Sequence, residues 1–232
     1  MTLLHGRVRY LAFLVVVAAG VATIVLGSTM RVRRTEVYGT LLLDHSAVVD
    51  AAGLNGTNPF TVNTASAVKR VLALGVPESV WISFVLPDTA VVTVVERSPA
   101  YIWKVDSTMY LVSSDGTVLG TTTRENERVI VVDSARRPVK IGQNIDVRPL
   151  REAAYLMSLL PRLTNLDLHY VLYSPEQGIV VPTPSGANVA FGDDQDLNLK
   201  VEDLGPTLKV ANSQKPPATL IDLQSPRHPY FR

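Results

Sequence analysis

Catalysis needs side chains that converge, and the reactive residue types in this chain are few and scattered. The four histidines, His5, His45, His169 and His228, form no metal-spaced pair such as His-x-x-x-His. The chain has no cysteine, which removes disulfides, thiolate zinc sites and thiol nucleophiles. Asp193, Asp194 and Asp196, with Asp203 beyond, make one acidic cluster. A calcium loop needs several oxygens at set spacing, and the EF-hand glycine and terminal glutamate are absent here. A charged helix N-terminus accounts for the same carboxylates, because they complement the helix dipole. Ser185-Gly186 reads as a hairpin turn, with no Gly-x-Ser-x-Gly elbow to raise a nucleophile. Phosphate-cradling Walker and Rossmann loops are missing as well. Glu96-Arg97 reads as a solvated ion pair at a strand end, and Trp81 and Trp103 as core or rim packing. The residue types therefore predict a protein that is not an enzyme, with no catalytic, cofactor or metal residue.

The elements that would position these residues centre on residues 80–99, VWISFVLPDTAVVTVVERSP. Val80, Ile82, Phe84 and Leu86 alternate at the strand period, Pro87-Asp88 is turn chemistry, and 90–95 is dense in β-branched residues. Two strands do not stand alone in water, so their apolar face needs cover. The preceding residues supply it. Residues 33–38 form a short strand ending at Gly39. Asp44 caps a helix with Ala47, Val48, Ala51 and Ala52 on one stripe, and Gly53 stops it. Asn63 or Thr64 caps a second helix with Val68, Val71 and Leu72 on one face, ended by Gly75. The order strand, helix, helix, strand, strand makes an α+β module.

Upstream, residues 11–27 form an uncharged apolar run at the short end of what spans a bilayer. A cleaved signal peptide shares the basic start, but no Ala-x-Ala site closes the run, which favours a retained single-pass anchor. Arg7 and Arg9 on one side nearly balance Arg31, Arg33 and Arg34 on the other, so charge does not orient it. A formal net charge of +1 argues against a nucleic-acid footprint.

Val37-Tyr38-Gly39, Gly56-Thr57-Asn58-Pro59-Phe60, Leu86-Pro87-Asp88-Thr89 and Val94-Val95-Glu96-Arg97-Ser98-Pro99 together resemble the POTRA domain of the FtsQ/DivIB cell-division family. The hairpin turn running into Val-x-Glu-Arg-x-Pro is the most specific part. Thr40, the apolar Leu41-Leu42-Leu43 and Pro59 depart from the family pattern.

Beyond residue 100 the pattern changes to short strands: 101–105, 109–112, 117–119, 129–132, 171–173, 179–181 and 187–191. Leu150, Ala153, Ala154, Met157 and Leu160 give one helical face, which Pro161 is expected to end. Leu197, Val201, Leu204 and Leu208 give another, flanked by Lys200 and Lys209, with a kink or restart expected at Gly205-Pro206. Residues 219–223 read as the last clear strand, with a polar-aromatic tail after it. The run resembles the family's β domain, with Gln224 where the family has arginine.

The resemblance implies an α+β fold in four parts: a cytoplasmic tail (1–10), a transmembrane helix (11–27), a β-α-α-β-β POTRA domain (32–99) and a mixed, mainly antiparallel β domain with two helices (100–232). It implies a non-enzymatic bitopic scaffold of the bacterial divisome at the septum, with the bulk of the chain extracytoplasmic. It also implies partners of the FtsB/DivIC and FtsL type, no cofactor, and no nucleic-acid or small-molecule ligand. The family's late β-domain strands place the partner contact on Thr219, Leu220, Ile221, Asp222, Leu223, Gln224, Arg227 and Tyr230. Exposed strand edges are templates for strand addition, so 33–38 or 90–95 is a second candidate edge. Rival readings are a POTRA-bearing component of a transport or outer-membrane assembly system, and an anchored hydrolase.

Overall fold

Local capping sets the first elements. The Asp44 carboxylate accepts the Ser46 N–H at 3.2 Å, and α1 (His45–Ala52) starts there. Gly53, left-handed at φ 57°, ends it and returns its N–H to Val49 O. Asn63 accepts the Ser66 N–H at 3.0 Å and opens α2 (Thr64–Leu72). The computed structural model describes residues 13–18, 20, 27, 29–125, 128–164, 168–184, 186–193, 195–214, 218–225 and 230–231. The chain divides into two compact units, residues 1–96 and 97–232.

In the first unit, β1 (Arg34–Tyr38), β2 (Pro77–Val85) and β3 (Thr89–Glu96) form a sheet in the order β1-β3-β2. β1 runs parallel to β3, and β2 antiparallel to it. Val48 and Ala52 of α1 and Ala67 and Val71 of α2 bury against Val80, Ala90, Val92 and Val94 of the sheet. The expected alternation holds for Val80, Ile82 and Phe84, but Leu86 leaves the strand for the turn and is 52% exposed. Trp81, expected in packing, lies on the opposite, solvent face and is 58% exposed, because the strand period of two turns it away from Val80. Its row crosses the sheet through Thr93 to Tyr38. The strand at 90–95 is not an edge: β3 is bonded on both sides, which leaves β1 and β2 as the edges.

Of the apolar run at 11–27, only 13–18, 20 and 27 are described, and the tail 1–10 lies outside the described residues. Among the described residues no helix is long and apolar enough to cross a membrane.

The second unit is one mixed sheet. Its strands are β4 (Pro99–Val105), β5 (Thr108–Ser113), β6 (Val118–Thr122), β7 (Val129–Asp133), β8 (Val171–Ser174), β9 (Gly178–Pro182), β10 (Asn188–Gly192), β11 (Leu220–Asp222) and β12 (Tyr230–Phe231). They stand in the order β12-β11-β10-β9-β8-β7-β4-β5-β6. Pairs β7–β8 and β10–β11 are parallel, and a parallel pair needs a long crossover. The two helices supply these crossovers: α3 (Arg148–Thr164) links β7 to β8, and α4 (Leu197–Ser213) links β10 to β11.

Both helices bury one stripe in a common core: Leu150, Ala153, Leu156 and Leu160 of α3, and Val201, Leu204 and Ala211 of α4. Leu156 takes the buried place expected for Ala154 and Met157, which are half-buried. Pro161 was expected to end its helix, but α3 runs past it for a last turn. At Gly205-Pro206, where a kink or a restart was expected, α4 does not stop and restart but continues through Pro206. A helical proline removes one backbone bond. At Pro206 the carbonyl left over belongs to exposed Glu202, which water can serve, while Leu204 and Ala211 hold the helix down on both sides.

Candidate partner interface

β11 is short, and the core holds it by alternate residues. Ile221 and Leu223 are fully buried, Leu220 and Asp222 half-buried, and Thr219 and Gln224 exposed. Of the residues expected to meet a partner, Ile221 and Leu223 are thus part of the core. Arg227 lies outside the described residues. On one side β11 pairs with β10, and flanking backbone bonds extend this pairing: Asn188 N–H to Thr219 O and Leu223 N–H to Ala190 O, both 2.9 Å. On the other side Ile221 faces Phe231 and Asp222 faces Tyr230 in antiparallel register. The residues expected as a tail therefore include a strand, and β12 rather than β11 ends the sheet. Tyr230 on it is 53% exposed. A two-residue strand has no periodicity, so the sequence carried no signal for it.

The neighbouring backbone is drawn close. A Cβ on Gly178 would fall 1.9 Å from Gly192 O, so only glycine fits where β9 bulges against β10. Gln224 packs its side chain onto Gly192. Beside it opens a groove of about 390 Å³, lined by Asp146, Glu152, Glu176, Asp193 and Asp196 against one guanidinium, Arg148. Arg148 donates to Asp146 at 2.6 Å, and that guanidinium holds the Asp146 carboxyl below its ordinary range. The groove is acidic overall, which suits a basic segment.

The aspartate cluster resolves into separate roles. The Asp193 carboxylate meets Lys200 Nζ at 3.3 Å, and the same ammonium donates to Asp193 O at 2.9 Å. Lys200, read from the sequence as flanking the apolar face of the helix, is 1% exposed. Asp196 is the N-cap of α4 in left-handed backbone, with no side-chain cap bond, and Asp194 lies outside the described residues. Among the described residues no three His, Asp or Glu are placed to hold a metal.

Glu96 and Arg97 were expected to pair with each other, and they part. Glu96 accepts the Leu42 and Leu43 N–H groups at 2.9 Å each, within the first unit. Arg97 donates to Asp115 at 2.6 Å, within the second. Trp103, in contrast to Trp81, is buried; the Arg137 guanidinium sits 5.7 Å over its ring and 5.3 Å over Tyr173, and also bonds buried Asp133 at 2.9 Å. Ser185, His5 and His228 lie outside the described residues, while His45 opens α1 and His169 is exposed.

Fold and site define a two-unit, mixed α+β protein whose second sheet ends in a short strand beside an acidic groove. Over 211 residues, 90% of the chain, it is 28% identical to the cell division protein FtsQ of Chloroflexus aurantiacus, covering 76% of that protein. Over 229 residues, 98% of the chain, it is 28% identical to cell division protein FtsQ of Chloroflexus aggregans, covering 82% of it. A stretch of 133 residues, 57% of the chain, is 32% identical to cell division protein FtsQ of Zymomonas mobilis, covering 40% of it. No protein-family model matches. The two Chloroflexus similarities, each over nine-tenths or more of the chain, support a relationship to the FtsQ cell-division proteins.

Proposed function

We propose that the chain is a non-enzymatic, single-pass scaffold of the bacterial divisome. Residues 1–10 remain in the cytoplasm, residues 11–27 span the membrane, and a POTRA domain (32–99) and a β domain (100–232) stand outside it. The scaffold recruits or links other anchored division proteins of the FtsB/DivIC and FtsL type at the septum. Tethering is the mechanism: confinement to one membrane raises the effective concentration of partners anchored in the same membrane.

The observation that carries this reading is the similarity to two FtsQ proteins over nine-tenths or more of the chain. The β11–β12 edge supports a partner contact by strand addition, because β12 leaves one side of its backbone at the end of the sheet. Thr219, Gln224 and Tyr230 are the exposed members of that contact. A fluorescent fusion in cells tests the reading. It gathers at the division site, and depletion of the protein gives filaments. Uniform membrane distribution with normal division refutes the proposal.

A further inference from the structure

The end of the first unit that meets the apolar run carries two exposed hydrophobic tips. Gly27, the last residue of the run, accepts a hydrogen bond from Asn58 Nδ2 at 2.8 Å. A Cβ on Gly27 would lie 3.7 Å from the Phe60 ring, so the ring packs on the end of the run. Phe60 is nevertheless 61% exposed. Five residues on, Val32 donates to Thr57 O at 2.9 Å and accepts from Gly56 N–H at 2.8 Å, which fixes the 54–60 loop against the chain leaving the run. The next residue, Arg33, donates to Asp88 O at 2.8 Å, and this bond draws the β2–β3 turn to the same place. Leu86 on that turn is 52% exposed, and Val85 beside it 59%. Arg31 and Arg33, exposed on either side of buried Val32, flank both tips.

The register fixes which end of the sheet this is. Arg34 and Val85 both face Thr89 at the near end, while Pro77 faces Glu96 at the far end. Single exposed apolar residues are ordinary on a protein surface, but Phe60, Val85 and Leu86 gather at one end of the unit, where the chain leaves the apolar run. Here the covering phase is set by chain continuity, because the tips lie beside the end of an apolar run.

We propose that this end of the unit is a bilayer-facing surface. Phe60 and Leu86 enter the edge of the hydrocarbon, and Arg31 and Arg33 lie at the lipid phosphates. The proposal rests on the reading of 11–27 as a membrane span. Arginine suits this place, since its stem lies along apolar surface while its guanidinium reaches phosphate. The contact holds the unit upright on the membrane with a fixed end down, instead of leaving it on a free tether.

The chain lacks cysteine, so single nitroxide labels can be placed without a background. The test uses the full chain in vesicles of phosphatidylethanolamine and phosphatidylglycerol, labelled in turn at Val16→Cys, Phe60→Cys, Leu86→Cys and Glu78→Cys. The readout is collision with oxygen against collision with a water-soluble nickel complex. Labels at 60 and 86 should show an oxygen-to-nickel ratio several-fold above that at 78, which lies at the far end, and below that at 16. Labels at 60 and 86 that match 78, with 16 deep in hydrocarbon, overturn the proposal and leave the anchor standing. A label at 16 open to nickel overturns the anchor and the proposal with it. Labels at 60 and 86 shielded from both reagents identify a protein contact and also overturn it. Two independent label sites guard against a perturbation confined to Phe60.

Discussion

The two units bury different things. In the first, every buried residue among those described is apolar, and every described charged side chain stays at least partly in water. The one buried polar side-chain atom left without a partner there, among the described residues, is the Thr40 hydroxyl. In the second, Lys200 and Asp133 go inside, together with Ser113, Thr117, Ser174 and Thr183. The architectures account for the contrast. Two short helices on one face of three strands enclose a thin core that charges can avoid. Two long crossover helices on a wide mixed sheet enclose a thicker one, and the strand ends and helix starts fall within it. Buried polar groups need partners, and the second unit supplies them: Asp193 for Lys200, Arg137 for Asp133, and the Ala187 carbonyl for Thr183. One is left over: the Trp103 indole N–H has no hydrogen-bond partner, although the Arg137 guanidinium lies over its ring and the Tyr173 ring packs against it at 5.7 Å.

The sharpest way to break this comparison is to damage one core and watch the other. Phe191 is fully buried in the second unit, and Phe191→Ala should cost about 3–5 kcal/mol. The two tryptophans separate the readouts, since Trp81 belongs to the first unit and Trp103 to the second. In urea titrations of the detergent-solubilised chain, the Trp103 transition of a Trp81→Phe background should move to lower urea. The Trp81 transition of a Trp103→Phe background should stay where it is. If both move together, the units do not melt separately and the comparison fails.

The buried ammonium comes next. Asp193→Ala removes one of two acceptors from a charge that water does not reach, and should cost the second unit about 2 kcal/mol. Lys200→Met keeps the length of the side chain and removes the charge, and Asp193 is 65% exposed and remains hydrated. That variant should stay within about 1 kcal/mol of the parent. If Lys200→Met is the more damaging of the two, the ion pair is a source of stability rather than a satisfied burden.

In the first unit the corresponding polar contact lies at the surface. Glu96→Ala frees the Leu42 and Leu43 N–H groups, but water can reach them, so the loss should be about 1 kcal/mol and confined to the Trp81 transition. Glu96→Gln, which retains one acceptor oxygen, should recover part of it.

The same contrast explains what could be read from the sequence. Asp44, Asn63 and Gly53 act within three or four residues of themselves, so their caps and the first helices were legible. Sheet order was not. A strand rich in valine at 90–95 looks the same at an edge as in the centre, and only the parallel docking of β1 makes it central. Lys200 reads as a solvent residue on charge alone, and its burial depends on a backbone carbonyl seven residues earlier that the fold brings back. Pro161 and Pro206 carry a strong local signal for a break, but Leu160, Leu204 and Ala211 pack firmly enough to override it. For the partner residues, alternation marked 219–223 as a strand. It did not tell that Ile221 and Leu223 point inward, or that Tyr230 and Phe231 close the exposed side.

The smallest expected difference between the units lies at acid pH. In the first, the Ser46 hydroxyl and N–H hold the Asp44 carboxyl below its ordinary range. In the second, the Ser113 hydroxyl does so for Asp115, helped by the Thr117 N–H and the Arg97 charge. A carboxyl with a lowered folded pKa contributes stability that is present above its unfolded value, about 3.9, and is lost as pH falls through the folded value. Both groups are near the surface, so each contribution is small. Asp44→Asn retains a capping oxygen and should leave the neutral-pH stability of the first unit nearly unchanged, while flattening its decline below about pH 4. Asp115→Asn should flatten the decline of the second unit alone. Salt then separates the two. Asp44 depends mainly on hydrogen bonds to one serine, and its acid limb should not respond. Asp115 also meets the Arg97 guanidinium at 2.6 Å, so its limb should shrink slightly near 1 M salt, where screening reaches about 3 Å. An equal response in both units would mean that the ion pair adds nothing to the hydroxyl contact.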